Sequence, residues 1–367
     1  MTQQTSTTQH YRNIKNVPRY IFGSGSLHQL DDLLASLKQK SGDYSVYCVD
    51  RYFETEGLAA RLPLNPTDYI FYYDSSAEPK TGDIDAFVAQ IRALRNGLPV
   101  CVIGIGGGCA LDVAKAVANM LTNEGQAADY QGWDLVKNPA VYKIGIPTLS
   151  GTGAEASRTC VLTNLERGMK LGMNSDHTMF DQLILDSDLT KTVPRDQYFY
   201  TGMDTYFHCL ESLNGRTRNV IVDALSKKAI DLTKDVFLSE DMQSEENREK
   251  MMIASYLGGT AAGNTGVLHP LSAGLSIALG THHCLANCLV MTVLEEFYPK
   301  EHAEYQRMLQ KQNIALPTGL CRGLPEETYE KLYQASIIHE KPLTNALGEG
   351  FRDILTREKL ISLFQRI

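Results

Sequence analysis

The sequence predicts an α/β protein in two parts, a Rossmann-like α/β domain over residues 1–190 and an all-helical domain over residues 191–367. Two observations carry this expectation. The first half alternates short apolar runs with helix-periodic segments. After about residue 190 the strand-like runs nearly vanish and a 3.6-residue period continues alone.

Taken in order, YSVYCVD (44–50), DYIFYYD (68–74), PVCVIGI (99–105) and YKIGIP (142–147) read as buried strands rich in Val, Ile and Tyr. Apolar throughout, such runs suit parallel strands covered on both faces. Between them, DIDAFVAQIRALRNG (83–97) sets Ile84, Phe87, Val88, Ile91 and Leu94 on one helical face, with Gly97 as its stop. In the second half, NVIVDALSKKAIDLTKDVFL, ENREKMMIASYLGGTAAGN and HAEYQRMLQKQN all follow the helical period. There is no internal repeat, and only the first dozen residues read as disordered.

Composition narrows the function classes. A chain of 367 residues with 43% hydrophobic and 21% charged residues has the make-up of an ordinary globular protein with two cores. Its net charge of −8 argues against a nucleic-acid or anionic-membrane partner. No uncharged apolar run is long enough for a span, and the polar start lacks a secretory core. The eight cysteines form no CxxC pair, so reduced thiols in a cytoplasm are expected.

VCVIGIGGGCALDVAKAVANML runs strand, glycine turn, helix. Gly106, Gly107 and Gly108 let the backbone approach a ligand, and the helix dipole behind them suits a pyrophosphate. Cys109 stands where GxGxxG has its third glycine, so a packing role for the turn stays open. Asp50 ends an early strand, where it could meet ribose hydroxyls or simply cap a turn. A second turn, IPTLSGTGAEAS (146–157), carries Thr148, Ser150 and Thr152. Two such turns in one α/β half point to a nucleotide.

In TGMDTYFHCLES (201–212), Asp204 and His208 are four residues apart and share a helical face. Met203, Tyr206, Phe207, Cys209 and Leu210 make that helix apolar nearly all round, so the pair should be buried. A buried Asp and His need partners, and a shared cation is one solution; a surface Asp–His contact is the other. GVLHPLSAGLSIALGTHHCLAN (266–287) adds His269 and, fourteen residues on, His283. Three imidazoles and a carboxylate suit one divalent metal, Fe2+ or Zn2+, with a position left open.

These motifs resemble, in order along nearly the whole chain, those of the iron-dependent (group III) alcohol dehydrogenases. NVPRYIFGSGSLHQL (16–30) looks like the family's opening hairpin, GGGCALDVAKA its GGGSxxDxAK loop and IPTLSGTGAEAS its IPTTAGTGSE turn. LILDSDLTKTVP (183–194), MDTYFHCLES and HPLSAGLSIALGTHHCLAN resemble its ILDPxLTxxLP, DAxxHxxE and HxxxHxLGxxxxxPHGxxN stretches. The resemblance implies a dehydroquinate-synthase-like fold, with Asp204, His208, His269 and His283 as metal ligands. It implies NAD as cofactor, held by Gly106, Gly107 and Gly108 with Asp112 and Lys115 behind them. Asp50 would take the ribose, Thr148 and Thr152 would contact the cofactor, Lys170 would lie near the nicotinamide ribose and Leu185 on the adenosine side.

Three departures stand out: Cys109 for the loop serine, Leu149 for a threonine, and Ala273 for the second histidine of HxxxH, which in the family lies beside the substrate. His282 is outside the common pattern and is the available proton relay. The departures suggest a subgroup that oxidises the terminal carbinol of a bacterial sugar acid, 3-deoxy-D-manno-octulosonate, in lipopolysaccharide biosynthesis. Arg158, Arg216 and Arg218 are then candidates for its carboxylate. A homodimer is compatible with this reading. Rival readings are a dehydrogenase of small diols or aldehydes, a lyase using NAD transiently, and a nucleotide-binding regulatory protein with a structural metal.

Overall fold

The structure, a computed structural model, describes residues 15–95, 97–263 and 265–367. The first dozen residues, expected to be disordered, lie outside the described residues. The strands are β1 (Arg19–Phe22), β2 (Ser45–Asp50), β3 (Tyr69–Tyr73), β4 (Cys101–Gly106), β5 (Gly132–Trp133), β6 (Lys143–Pro147), β7 (Thr159–Asn164), β8 (Met169–Asn174) and β9 (Gln182–Leu185). Six of them form an all-parallel sheet in the order β1-β9-β6-β4-β2-β3. The four strands expected from apolar runs are all in it. β4 and β6 are buried along their whole length, and β2 all but at its last residue, as strands with both faces covered must be.

The expected opening hairpin is not what forms. β1 is instead an edge strand running parallel to β9, and its exposed Arg19, Tyr20 and Phe22 suit that edge. A second sheet, β5-β8-β7, is built on an antiparallel β7–β8 pair that the sequence reading did not separate out.

The helices of this part are α1 (Leu30–Leu37), α2 (Tyr52–Thr55), α3 (Thr81–Leu94) and α4 (Gly108–Met120). α3 buries Ile84, Val88 and Ile91, with Phe87 partly covered and Leu94 exposed at its end. α4 lies between the two sheets, which is why it is buried on nearly every side and rich in alanine.

From Arg195 onward every regular element among the described residues is a helix: α5 (Arg195–Asn214), α6 (Val220–Phe237), α7 (Glu245–Ala261), α8 (Leu268–Leu279), α9 (His283–Met291), α10 (Pro299–Gln312), α11 (Glu326–Ile337), α12 (Glu340–Leu347), α13 (Phe351–Ile354) and α14 (Arg357–Phe364). α5 is the central one. Its Phe199 and Phe207 pack edge-on against Phe237 and Tyr305, with ring centroids 4.9 and 5.4 Å apart. No helix among the described residues is long and apolar enough to cross a membrane. The two parts meet where the turn after β6 presses on α5 and α7: the Thr205 hydroxyl donates to the Gly151 carbonyl at 2.7 Å.

Candidate active site

β2 leads to its neighbour β3 on one side and β4 to its neighbour β6 on the other, so a crevice opens beyond the carboxyl ends of β2 and β4. Asp50 and the glycine turn stand at that crevice. Gly106 has φ +151°, and a Cβ there would come within 2.6 Å of the Ala110 Cβ and 2.9 Å of the Asp50 Cβ. At Gly107 and Gly108 a Cβ would crowd Leu149 and Thr152 at 2.7 and 3.0 Å. No side chain caps the start of α4, so its first N–H groups are left to the crevice. A cradle this bare, at a helix N-terminus, fits the pyrophosphate of a dinucleotide.

Asp50 caps a turn, its carboxylate accepting from the Tyr52 N–H at 3.0 Å and from the Ser75 hydroxyl at 2.7 Å, and it also lines the cleft. Thr148, Thr152 and Lys170 line the cleft as well. Asp112 touches it but chiefly braces the fold, accepting from the Val161 N–H at 2.9 Å beside the buried Lys115 amine at 3.5 Å. Leu185 does not reach the cleft. It ends β9 fully buried beside Phe180 and Leu183, and its carbonyl accepts from the Gly23 N–H at 3.1 Å.

The cleft, about 1060 Å³, continues from the cradle to Asp204, His208, His269 and His283. Asp204 is fully buried on α5. Its carboxylate lies 3.3 Å from His269 Nε2 on α8 and 3.6 Å from His283 Nε2 at the start of α9, and it accepts from the Asn287 amide at 2.7 Å. One ligand atom each of Asp204, His269 and His283 falls within a 4.8 Å group. His208 is outside that group: its ring stacks on His269 with centroids 4.4 Å apart, and its Nδ1 is 3.8 Å from Asp204.

The electrostatics fit a cation. Asp204 Oδ2 and His208 Nδ1 are buried without hydrogen-bond partners among the described residues, unmet polar atoms that a divalent ion would satisfy. Burial opposes the Asp204 charge, but His208, His283 and His269 outweigh it and hold the carboxyl well below its usual range. Burial pushes the His208 ring down to about 4, so it is neutral and ready to ligate.

Two groups to which the sequence reading gave no role complete the site, although Glu211 is the acid of the DAxxHxxE-like stretch. Glu211, almost wholly buried, accepts from His269 Nδ1 at 2.5 Å, the Leu268 N–H at 2.6 Å and the Tyr298 hydroxyl at 3.1 Å. This turns His269 Nε2 toward Asp204, the carboxylate–histidine arrangement that orients metal ligands. Glu211 lies seven residues after Asp204 and three after His208, so helical spacing alone could have found it. Glu78, from the loop after β3, pairs with Lys170 at 3.1 Å and accepts from the His283 N–H at 3.0 Å. Burial would raise its pKa, yet Lys170 and the nearby histidines draw it down to about 2.

His282 lines the cleft beside His283, its pKa lowered by burial against the pull of Glu78. Ala273 lines it too. Of the three arginines, only Arg158 borders the cleft, held there by Asp134 and by Asp176 at 3.1 Å. Arg216 donates to the Leu347 carbonyl and Arg218 is forked onto Asp223. Both lie past the end of α5, engaged elsewhere, and the cleft does not include them.

Similarity to known proteins agrees with this geometry. The profile "Iron-containing alcohol dehydrogenase" matches residues 18–187, and "Fe-containing alcohol dehydrogenase family, C-terminal" matches residues 198–335. The chain is 35% identical over 234 residues to a sulfoacetaldehyde reductase of Bilophila wadsworthia, covering 62% of this chain and 59% of the relative, less than two thirds of its length. It is 27% identical over 324 residues to alcohol dehydrogenase 4 of Saccharomyces cerevisiae, covering 86% and 82% of the two chains. Its fold matches the crystal structure of a sulfoacetaldehyde reductase from Bifidobacterium kashiwanohense in complex with NAD+ with a TM-score of 0.78, at 24% identity over 97% of this chain and 98% of that one. One family thus accounts for both halves in their order, and the chain belongs to the iron-containing alcohol dehydrogenases, oxidoreductases that act on CH–OH groups.

Proposed function

We propose that the protein oxidises a primary alcohol whose far end is anionic, with 3-deoxy-D-manno-octulosonate as substrate, one divalent metal and NAD. The observation that carries the reading is that a buried carboxylate–imidazole cluster and a bare glycine cradle open onto one cleft. When bound, the metal supplies Lewis acidity toward the substrate hydroxyl and NAD supplies the hydride acceptor. Asp204, His208, His269 and His283 would hold the ion. Glu211 keeps the His269 proton on Nδ1, which leaves Nε2 to face the ion.

The chain's own residues do the rest. The glycine cradle seats the pyrophosphate, and Asp50 takes the adenosine ribose and repels a 2′-phosphate. Asp50→Gly is expected to narrow the preference for NAD over NADP, read as the ratio of the two binding constants; equal binding by the unaltered protein would refute the role. His282, its pKa lowered by burial, lines the cleft and would take the hydroxyl proton toward solvent.

Arg158 is the cation at the cleft for the distal carboxylate. Because Asp134 and Asp176 already share its charge, Arg158→Ala should weaken acid binding by about 1.5 kcal/mol, the low end for a hydrogen bond to a charged group. That is roughly a tenfold rise in KM, with neutral alcohols unaffected. A second reading, reduction of a small anionic aldehyde, is supported by the name of the Bilophila relative. NADH formation with the sugar acid and with 1,3-propanediol, measured beside NADH consumption with sulfoacetaldehyde, separates the readings. Diol turnover equal to that of both anions would sink the anionic substrate and leave the dehydrogenase.

A further inference from the structure

The cofactor end and the metal end of the cleft belong to different parts of the chain, yet hydride transfer needs both fixed to a fraction of an ångström. At the base, the turn after β6 packs on α5 and α7. Across the cleft itself, one acidic side chain reaches over. Glu78 extends from the loop between β3 and α3, and its own backbone is tied down: the neighbouring Pro79 carbonyl accepts from the Thr163 N–H at 2.7 Å, and Lys80 bridges Thr163. Thr163 is in turn the cross-strand partner of Lys170. Glu78 and Lys170 are therefore one unit, joined by backbone pairing and by the 3.1 Å ion pair, with side chains only 19% and 7% exposed.

From that unit the other carboxylate oxygen accepts from the N–H of His283, the first residue of α9, at 3.0 Å. An anion at a helix N-terminus is favoured by the helix dipole.

We infer that Glu78 is a positioning residue, a strut that fixes the metal-side helix α9 relative to the cofactor-side Lys170 across the cleft. The inference rests on the dehydrogenase reading of the cleft and not on the identity of the substrate. Glu78 touches no reacting atom. It acts by setting where His283 stands relative to the cofactor.

The two bonds can be separated by substitution. Glu78→Gln keeps an oxygen for the His283 N–H and gives up the charge that holds Lys170; Glu78→Ala gives up both. Turnover is measured per bound metal ion with 1,3-propanediol, plain and deuterated at its carbinol carbons, and Zn2+ affinity is measured on metal-stripped protein. Glu78→Ala is expected to lose at least about tenfold in kcat, with a larger deuterium effect, an NAD KM within about threefold of the parent and weaker Zn2+ retention, because misplacement by about 1 Å can cost a hundredfold. Glu78→Gln should fall between the two and retain Zn2+ as the parent does. An alanine variant matching the parent in kcat, deuterium effect and Zn2+ affinity overturns the strut. So does a glutamine variant as impaired as alanine, or a loss spread equally over kcat and KM. An unaltered protein that binds Zn2+ and NADH but reduces NAD with neither 1,3-propanediol nor 3-deoxy-D-manno-octulosonate would instead overturn the dehydrogenase reading, and the Zn2+ arm would still decide the strut.

Discussion

Asp204→Asn is expected to leave the protein folded, strip it of most of its metal and abolish turnover. The substitution keeps the shape but removes the carboxylate charge that faces all three imidazoles. Asp204 is fully buried and within 3.8 Å of nitrogens on His208, His269 and His283, so every ligand turns on it. Glu211→Gln, which alters the partner of His269 and not a ligand, should cost about 10–100-fold in metal affinity or activity, the usual range for an outer partner. Asp204→Asn should cost more than that. Metal content by mass spectrometry and NADH formation check the order, and an Asp204→Asn protein with a full complement of metal removes Asp204 from the ligand set.

The same site gives a pH dependence with a definite sign. Burial works against charge on His269, but Glu211 and Asp204 together raise its pKa from 6.5 to about 9. A pKa raised on folding contributes stability that is complete below about 6.5 and is lost as pH climbs through about 9. The metal-stripped protein should therefore become less stable across that window. Metal must displace the same proton, so apparent Zn2+ affinity should rise with pH up to about 9 and then level off. Affinity that is flat over that range would mean the proton is not on His269.

How much of this was legible in the sequence depends on how far apart the partners lie. β2, β4 and β6 are continuous apolar runs buried on both faces, and such runs announce themselves. β1 did not, because its place beside β9 is set by a pairing some 160 residues away, and a short run rich in aromatic residues suits a hairpin equally well. β7 and β8 are as long as β2 and β4 but carry polar residues along their length, including Lys170, which lines the cleft. In the site, Asp204, His269 and His283 come together around the buried carboxylate and His208 stands beside them, its Nδ1 3.8 Å from Asp204. Glu211 was within reach of the helical period. Glu78 was not: it meets His283 across 205 residues, and nothing local marks it. Arg216 and Arg218 were favoured for their nearness in sequence to His208, but α5 ends before them and the chain turns away toward Asn345 and Leu347.

The second glycine turn was read for phosphate binding, and its geometry calls for glycine for another reason, which gives the second large effect. Gly151 has φ +150°, and a Cβ there would lie 1.7 Å from the Thr201 carbonyl oxygen and 2.2 Å from its carbon. Both are backbone atoms of α5, so no side chain can swing away; the turn and the helix must part. Gly151→Ala should therefore destabilise by at least about 3 kcal/mol, the upper range for overpacking. Gly280→Ala is the control, with φ +69° and no atom within 4 Å of the added carbon, and should cost only about 1–2 kcal/mol for its left-handed backbone. Thermal midpoints of the two variants test the difference, and equal midpoints would show that the turn yields freely. The effect should reach the chemistry as well. Thr201 lies three residues before Asp204 on α5, and Thr152 follows Gly151 into the cleft, so prising turn from helix moves the cofactor wall away from the metal ligands. Gly151→Ala should lose bound metal and turnover at temperatures where Gly280→Ala keeps both, because the close contact at Gly151 is what brings the two halves of the site within one cleft.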